Sequence, residues 1–417
     1  PILRQSFIRL SGAAQPDENT SITRIGLVLR GTMGEHIGFR IQHFEAREWS
    51  SRVRTGRGDI LSRPIEEVQF KGKTVDFREA RFQMLWANDW ITLDAGKDSF
   101  GWGPSPQINL FLEATAPSYF YGRIEITYHA ARFVHFFAAL SARPGSIDTA
   151  RTTISNGHSR RFKPPKRMSA HRLELEIGNV LIGLQESVVY GDRGFELAYL
   201  PPTSVLVGAQ SYLDDTDNLA VGADVSILLP YRTRIYGSLF FDDLKKFSPG
   251  DFATKTAKQV GFHLADPFGL TNVDARLEYT RIDPFVYSHL FDVNAYEHFD
   301  APLGHPLGPN ADQILLAATW RPTGFLTLFA NVERIRSGEN FFSESGELIN
   351  VGGNLQLGQR PNDPFSKTFL KGLRSTTTNL VSGIRFDPTK NLALDFRWRW
   401  VRTQTGDLAK RGQQLSA

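Results

Sequence analysis

Cysteine is missing altogether from the 417 residues. That excludes disulfides, zinc–thiolate centres and cysteine nucleophiles. Long apolar runs are missing too. No stretch approaches the roughly 18 consecutive apolar residues that a membrane-spanning helix needs, which excludes a helical membrane protein. It does not exclude a β-barrel, whose strands alternate polar and apolar residues and so average out near neutral hydropathy. The mean hydropathy of the chain is −0.27. Nor is there a marked excess of one charge: 48 basic and 44 acidic residues are mixed along the chain. A nucleic-acid binder carries a clustered basic stripe. Here only "GHSRRFKPPKR" (157–167) is locally basic, so no nucleic-acid partner is implied.

Catalytic and cofactor signatures are also scarce. "GPSPQ" (103–107) is not the Gly-x-Ser-x-Gly elbow of a hydrolase. There is no Gly-rich nucleotide loop, no HExxH and no EF-hand spacing. No cofactor and no enzymatic activity are expected. The chain opens "PILRQSFIRL", without Met or an apolar signal core; a secretory signal would already have been removed.

What is present is period two, many times over. "RIGLVLRG" (24–31) sets Ile25, Leu27 and Leu29 against Arg24 and Arg30. "GRIEITYHA", "RLELEIG", "LAVGADVSI", "NVDARLEYT" and "NLALDFRWRW" repeat the pattern, and no stretch shows a 3.6-residue period. Links rich in Gly, Pro or Asn join these segments in pairs: 34–36, 229–233, 266–272, 321–324 and 387–391. Such links form hairpin turns. The intervening links are long, at 48–76, 99–121, 142–169, 244–257, 283–310 and 336–375.

Short turns at one end and long loops at the other predict an all-β fold. The expected form is an antiparallel transmembrane β-barrel of about 18 strands (roughly 16–20) in one domain over 1–417, with short periplasmic turns and long extracellular loops. Candidate strands start near 22, 36, 77, 90, 122, 132, 170, 180, 194, 204, 218, 232, 257, 271, 311, 324, 376 and 390. This set leaves both chain ends on the outer side, unless further strands lie near 2–12 and after 402. Trp86, Trp90, Trp320, Phe386, Trp398 and Trp400 fall near strand ends, as interfacial girdles require.

The polar side of each strand is rich in charge. Arg123, Glu125, Arg172, Glu174, Asp224, Arg276, Glu278, Asp395, Arg397 and Arg399 share that side. An Arg facing lipid at the midplane costs roughly 2–4 kcal/mol. Such costs summed over the chain are not tolerable, so these residues are expected to face the lumen, as a wall-stiffening network or as the lining of a selective pore.

Three stretches resemble the Wzi-type capsule-assembly family. They are "AGKDSFGWGPSPQINLFLEATAPSYF" (95–120), "FELAYLPPTSVLVGAQSYLDDTDNLAVGADVSILLPYRTRIYGSLFFDDL" (195–244) and "GHPLGPNADQILLAATWRP" (304–322). They cover about a quarter of the chain, in that family's order. The resemblance implies an outer-membrane barrel of about eighteen strands. It also implies a lectin-like role in holding or organising extracellular polysaccharide, without catalysis.

Trp102, within Gly-Trp-Gly-Pro, is a candidate sugar-stacking platform or a loop anchor. Loop 283–310 offers Tyr287, His289, Tyr296, His298, His305 and Asn310 as further polysaccharide contacts, or as a packed lid. Asp214, Asp215 and Asp217 in "LDDTDN" form a weak calcium candidate or a solvated acidic turn. Partners expected are outer-membrane lipids or lipopolysaccharide, extracellular polysaccharide and other cell-surface proteins. A porin-like channel for small solutes is the main alternative; a membrane base for a larger surface assembly is the third.

Overall fold

The computed structural model describes residues 2–15, 18–53, 67–242, 255–363, 365, 367–406 and 408–416, with backbone only at 2–15, 18, 67 and 408–416. Eighteen strands follow one another in the chain. They are β1 (Ile2–Gln15), β2 (Glu18–Met33), β3 (Ile37–Ser50), β4 (Thr74–Ala87), β5 (Ile91–Asp98), β6 (Tyr119–Tyr128), β7 (Ala131–Ser141), β8 (Pro165–Ile177) and β9 (Val180–Gly191). Then come β10 (Asn218–Leu229), β11 (Thr233–Asp242), β12 (Lys255–Ala265), β13 (Val273–Ile282), β14 (Ala311–Thr323), β15 (Leu326–Glu339), β16 (Leu373–Thr389), β17 (Leu392–Thr405) and β18 (Leu408–Ser416).

Each strand pairs antiparallel with the next. The circuit returns where Ala13 and Ala14 of β1 pair with Ser416 and Leu415 of β18. A short strand, Glu67–Lys71, adds to the free edge of Thr74–Arg78.

Links at one end are short: 34–36, 88–90, 129–130, 178–179, 230–232, 266–272, 324–325 and 390–391. At the other end, 99–118, 142–164, 192–217, 283–310 and 340–372 are long. The expected link 244–257 lies mostly outside the described residues, and so does much of 48–76.

The expected strand number holds, but two strands moved. No strand forms near 194 or 204. That stretch is a 3-10 turn (Leu197–Tyr199) and a seven-residue helix, α1 (Leu206–Tyr212), with Pro201 and Pro202 between them. Adjacent prolines cannot donate to a ladder. The two strands considered near 2–12 and after 402 do form, as β1 and β18. β1 therefore starts from the short-turn end and β18 runs back toward it.

Period two sets the two faces. Leu277, Ile314, Leu316, Val332, Ile384 and Phe396 are exposed on the outer face, which suits a lipid belt. Trp86, Trp90, Tyr128, Tyr231, Phe268, Trp320, Phe325 and Phe386 are exposed toward the short-turn end, forming one aromatic girdle. Loop 192–217 departs from this scheme by lying over the outer wall. Tyr199 and Leu206 bury against Val188, Tyr190 and Leu219, and Ser169 donates to Tyr199 O at 2.6 Å.

Candidate functional site: the inward-folded loops and the charged wall

Loops 99–118 and 283–310 turn into the barrel and share one core with its inner wall. Trp102, Leu110, Phe111, Leu112, Val286, Tyr287, Tyr296 and Leu303 come from the loops. Val134, Phe136, Ala138, Met168, Val189, Ala220, Phe240, Ala257 and Ile282 come from inward positions of β7 to β13. Trp102 packs edge-on to Phe136 with ring centroids 5.0 Å apart and stacks beside Phe111 at 6.2 Å. Tyr287 and Tyr296 stack at 5.6 Å, and both meet Phe240 edge-on. Aromatic pairs in these geometries add to the large area each ring buries.

The polar tips are matched to main chain. Tyr287 donates its hydroxyl to Leu110 O at 2.6 Å, and Tyr296 to Phe111 O at 2.9 Å. The Glu113 N–H donates to Leu303 O at 2.7 Å. The loops touch so closely at Gly304 that a Cβ there would lie 2.3 Å from Leu110 O and 2.6 Å from Tyr287 Oη. Asn310, in the left-handed region at φ 56°, accepts the Leu370 N–H at 2.7 Å and donates to Gly338 O and Lys371 O. It thus ties loop 283–310 to loop 340–372. Arg143 bridges Glu297 at 2.5 Å and Gln356 O at 3.1 Å. Lys166 of β8, fully buried, donates to Ala295 O at 2.7 Å.

Of the residues expected to contact saccharide, Trp102, Tyr287, Tyr296, His298, His305 and Asn310 are all buried. Their ring faces are occupied by one another and by the wall. The anchor and packed-lid alternatives describe them. His289 alone of that group reaches the surface, beside exposed Phe291 at 5.8 Å between ring centroids.

His298 accepts the Ser141 N–H at Nδ1 (2.8 Å) and meets Ser118 O through Nε2 (3.1 Å), so it is neutral and protonated at Nε2. Burial pushes its pKa down to about 3. His305 accepts the Leu307 N–H at Nδ1 (3.1 Å), and burial lowers it to about 3 as well. Burial raises the phenols of Tyr287 and Tyr296 well above their ordinary range.

The three carboxylates of the acidic turn separate. Asp217 is buried and accepts from Arg193 and from the Tyr199 hydroxyl (2.8 Å). Asp214 and Asp215 take left-handed backbone conformations. Among the described residues no group of three His, Asp or Glu side chains is placed to hold a metal ion.

The charged wall resolves into three parts. The first is a ladder across β5 to β10. Asp94 holds Arg123 at 2.8 Å, and Arg123 lies 3.8 Å from Glu125. Glu125 holds Arg132 at 2.9 Å, and Arg132 holds Glu174 at 2.7 Å. Glu174 holds Arg172 at 2.8 Å, and Arg172 holds Asp224 at 2.7 Å. The last step crosses β9 at Gly183, where a Cβ would lie 2.4 Å from Arg172 Nη2 and 2.7 Å from Asp224. Glycine is what lets the guanidinium pass.

The second part holds the loop. Glu278 accepts from Tyr236 at 2.6 Å and Ser105 at 2.8 Å, while Arg276 donates to Gln107. The third lies on the far wall, where Arg399 donates to Asn379 at 2.9 Å, Asp395 sits 3.8 Å from Arg385, and Arg397 lies over Phe329.

Asp94 and Arg132 were not singled out from the sequence, although they share the inward parity of Arg123 and Glu174. Extending the period through "ITLDAGKD" and "ARFVHFF" finds both. Below the loop, toward the short turns, a polar recess of about 590 Å³ is lined by Gln107, His263, Asp274, Arg276, Arg321 and Asn331, among others.

No family model and no curated protein matches the chain. Solved structures do. One is Wzi of Escherichia coli, described as an outer-membrane protein involved in group 1 capsule assembly and a carbohydrate-binding β-barrel. It aligns with a TM-score of 0.60 and 12% identity over 98% of this chain and 84% of that one. OccK3 (OpdO) of Pseudomonas aeruginosa aligns at 0.52 with 9% identity, over 100% and 94%. OprD of the same organism aligns at 0.50 with 11% identity, over 100% and 93%. At such identities the likeness speaks to fold, and the fold is that of a Gram-negative outer-membrane β-barrel of the Wzi-like kind.

Proposed function

We propose that the protein is a non-enzymatic outer-membrane barrel that anchors or organises surface polysaccharide above a plugged lumen. The observation that carries this reading is the buried aromatic core shared by loops 99–118 and 283–310 with the inner wall. A diffusion channel needs a continuous wet path lined by polar groups. Here rings and aliphatic side chains of the loops pack against β7 to β13, Ser105 and Gln107 bond to Glu278 and Arg276 of the wall, and the Tyr287 and Tyr296 hydroxyls are committed to main-chain carbonyls. The carbohydrate binding described for Wzi agrees with this direction.

Trp102, Tyr287, Tyr296, His298, His305 and Asn310 then act by setting the shape of the loop platform. Contact with sugar falls to aromatics at its surface, the exposed Phe291 and Phe342 and the half-buried His289, because a ring face packs on the C–H face of a pyranose. Glycan-array binding should fall at least about tenfold on H289A/F291A, by analogy with other stacked ring contacts worth about 1–3 kcal/mol. Binding that survives this double change and F342A would refute the platform.

A porin-like channel is the second reading, favoured by the polar recess beneath the loop with Arg276, Arg321 and His263 in its lining. Single-channel recording at neutral pH separates the two. A large, stable conductance would overturn the plugged reading.

A further inference from the structure

The outward side chains of β15, β16 and β17 stack in level rows. Rising from the short turns, the rows are Leu328–Ile384–Phe396, Ala330–Ser382–Trp398 and Val332–Leu380–Trp400. The next row is Arg334–Thr378–Arg402, and above it comes Arg336–Thr376–Gln404. The wall thus changes from apolar to cationic within one step of the ladder, on the face shared with exposed Ile384 and Phe396.

Neighbouring strands are spaced by about 4.8 Å, so Arg334 and Arg402 flank Thr378 with backbones roughly 10 Å apart. Two long side chains converge easily across that gap. Arg336 is already committed, with Nε 2.9 Å from buried Asp312. The row below it is different. Arg334 faces Ile314 on one side and Thr378 on the other, with no carboxylate opposite. Arg402 is half-buried, and among the described residues its buried Nε has no hydrogen-bond partner. Elsewhere on the rim the outward Arg47 is satisfied by Asp76 at 2.7 Å.

We propose that Arg334, Thr378 and Arg402 form a binding site for the phosphate group of an outer-leaflet lipid. Guanidinium forks match phosphate oxygens in pairs, and a threonine hydroxyl between them adds a third donor. The acyl chains of the same lipid lie down the rows Val332–Leu380–Trp400 and Leu328–Ile384–Phe396. This adjacency favours a lipid over an acidic polysaccharide: the cationic row stands directly on the apolar belt, where a headgroup ends and its chains begin. The site lies on the outer wall, away from the loop platform, and does not depend on the polysaccharide reading.

Native mass spectrometry of the full-length protein, released from detergent, tests the site. The probes are a bisphosphorylated, multiply acylated disaccharide lipid and its dephosphorylated form. Retention of the phosphorylated lipid is expected, with the dephosphorylated lipid held roughly thirtyfold more weakly, as two basic side chains near an anionic headgroup predict. R334Q/R402Q should lose the same factor, R334K/R402K should recover part of it, and R47Q should change nothing. Heat-modifiable migration in gels confirms that each variant is folded. Equal retention of both lipids, or an unaffected R334Q/R402Q, would overturn the proposal. So would competition by inorganic phosphate or a soluble acidic oligosaccharide as effective as by the lipid.

Discussion

Lowering the pH from about 7.5 to about 4.5 should loosen the plug, and the size of the effect follows from two histidines. His298 and His305 sit neutral in the loop core, each accepting a backbone N–H at Nδ1. A second proton would have to displace that donor. Burial, with the nearby ammonium groups of Lys166, Lys97 and Lys163, holds His298 down to about 3, and burial alone does the same for His305. Once undocked into water, each imidazole returns to an ordinary value of about 6.5.

Between these values the undocked state binds more protons than the docked one. The docked state therefore keeps its full stability above about pH 6.5 and loses it as the pH falls toward 3. At about pH 4.5 the deficit is two pKa units, or about 2.7 kcal/mol per imidazole and about 5 kcal/mol for the pair. That shifts the docked-to-undocked ratio by nearly four powers of ten.

Planar-bilayer conductance recorded at both pH values is the assay. The wild type should open on acidification. H298Q/H305Q should stay closed, because Gln can donate and accept at similar positions without titrating. A wild-type barrel with unchanged conductance and near-UV circular dichroism at pH 4.5 would refute the reasoning. So would a double variant that opens like the wild type.

Three further outcomes are expected. D224A removes one of the two carboxylates that hold buried Arg172 and leaves Glu174 as the other; the loss should be about 1–3 kcal/mol, read as a lower midpoint in heat-modifiability gels. G304V places side-chain atoms where Leu110 O and the Tyr287 hydroxyl lie. It should part the two loops and raise single-channel conductance while the barrel still forms. V332R puts a guanidinium in the lipid belt and should cost roughly 2–4 kcal/mol of insertion, seen as reduced folding into liposomes; D395R, on the inward side of β17, should insert normally.

The wall was legible in the sequence because its physics is local. A strand that alternates Leu-Asp-Phe-Arg-Trp-Arg has only one arrangement that keeps charge out of lipid, and residues 394–399 adopt it. The partner of each charge was not legible. Arg172 reaches Asp224, 52 residues away, because Gly183 clears the way between them. Register and one missing Cβ decide that pairing. The segment "FELAYLPPTSVLVG" misled for a related reason. It buries Tyr199 and Leu206 and leaves Leu197, Val205 and Val207 exposed. The layering that produces this pattern is a loop laid on the barrel's outer wall.

The same ambiguity governs the loops. A run of rings, carboxylates and amides has one composition whether it meets sugar or packs against itself. In "YSHLFDVNAYEH" (287–298), Tyr287, Tyr296 and His298 are buried while Leu290 and Phe291 are exposed. What separates the two sets is the direction in which the loop enters the barrel. That direction is set by contacts remote in sequence: Tyr287 Oη with Leu110 O, Asn310 with Lys371 O, and Lys166 with Ala295 O. Each joins the loop to a strand or loop at least 61 residues away. On the function proposed above, the platform for sugar and the plug beneath it are two faces of one loop, and a substitution on the buried face should be felt on the exposed one.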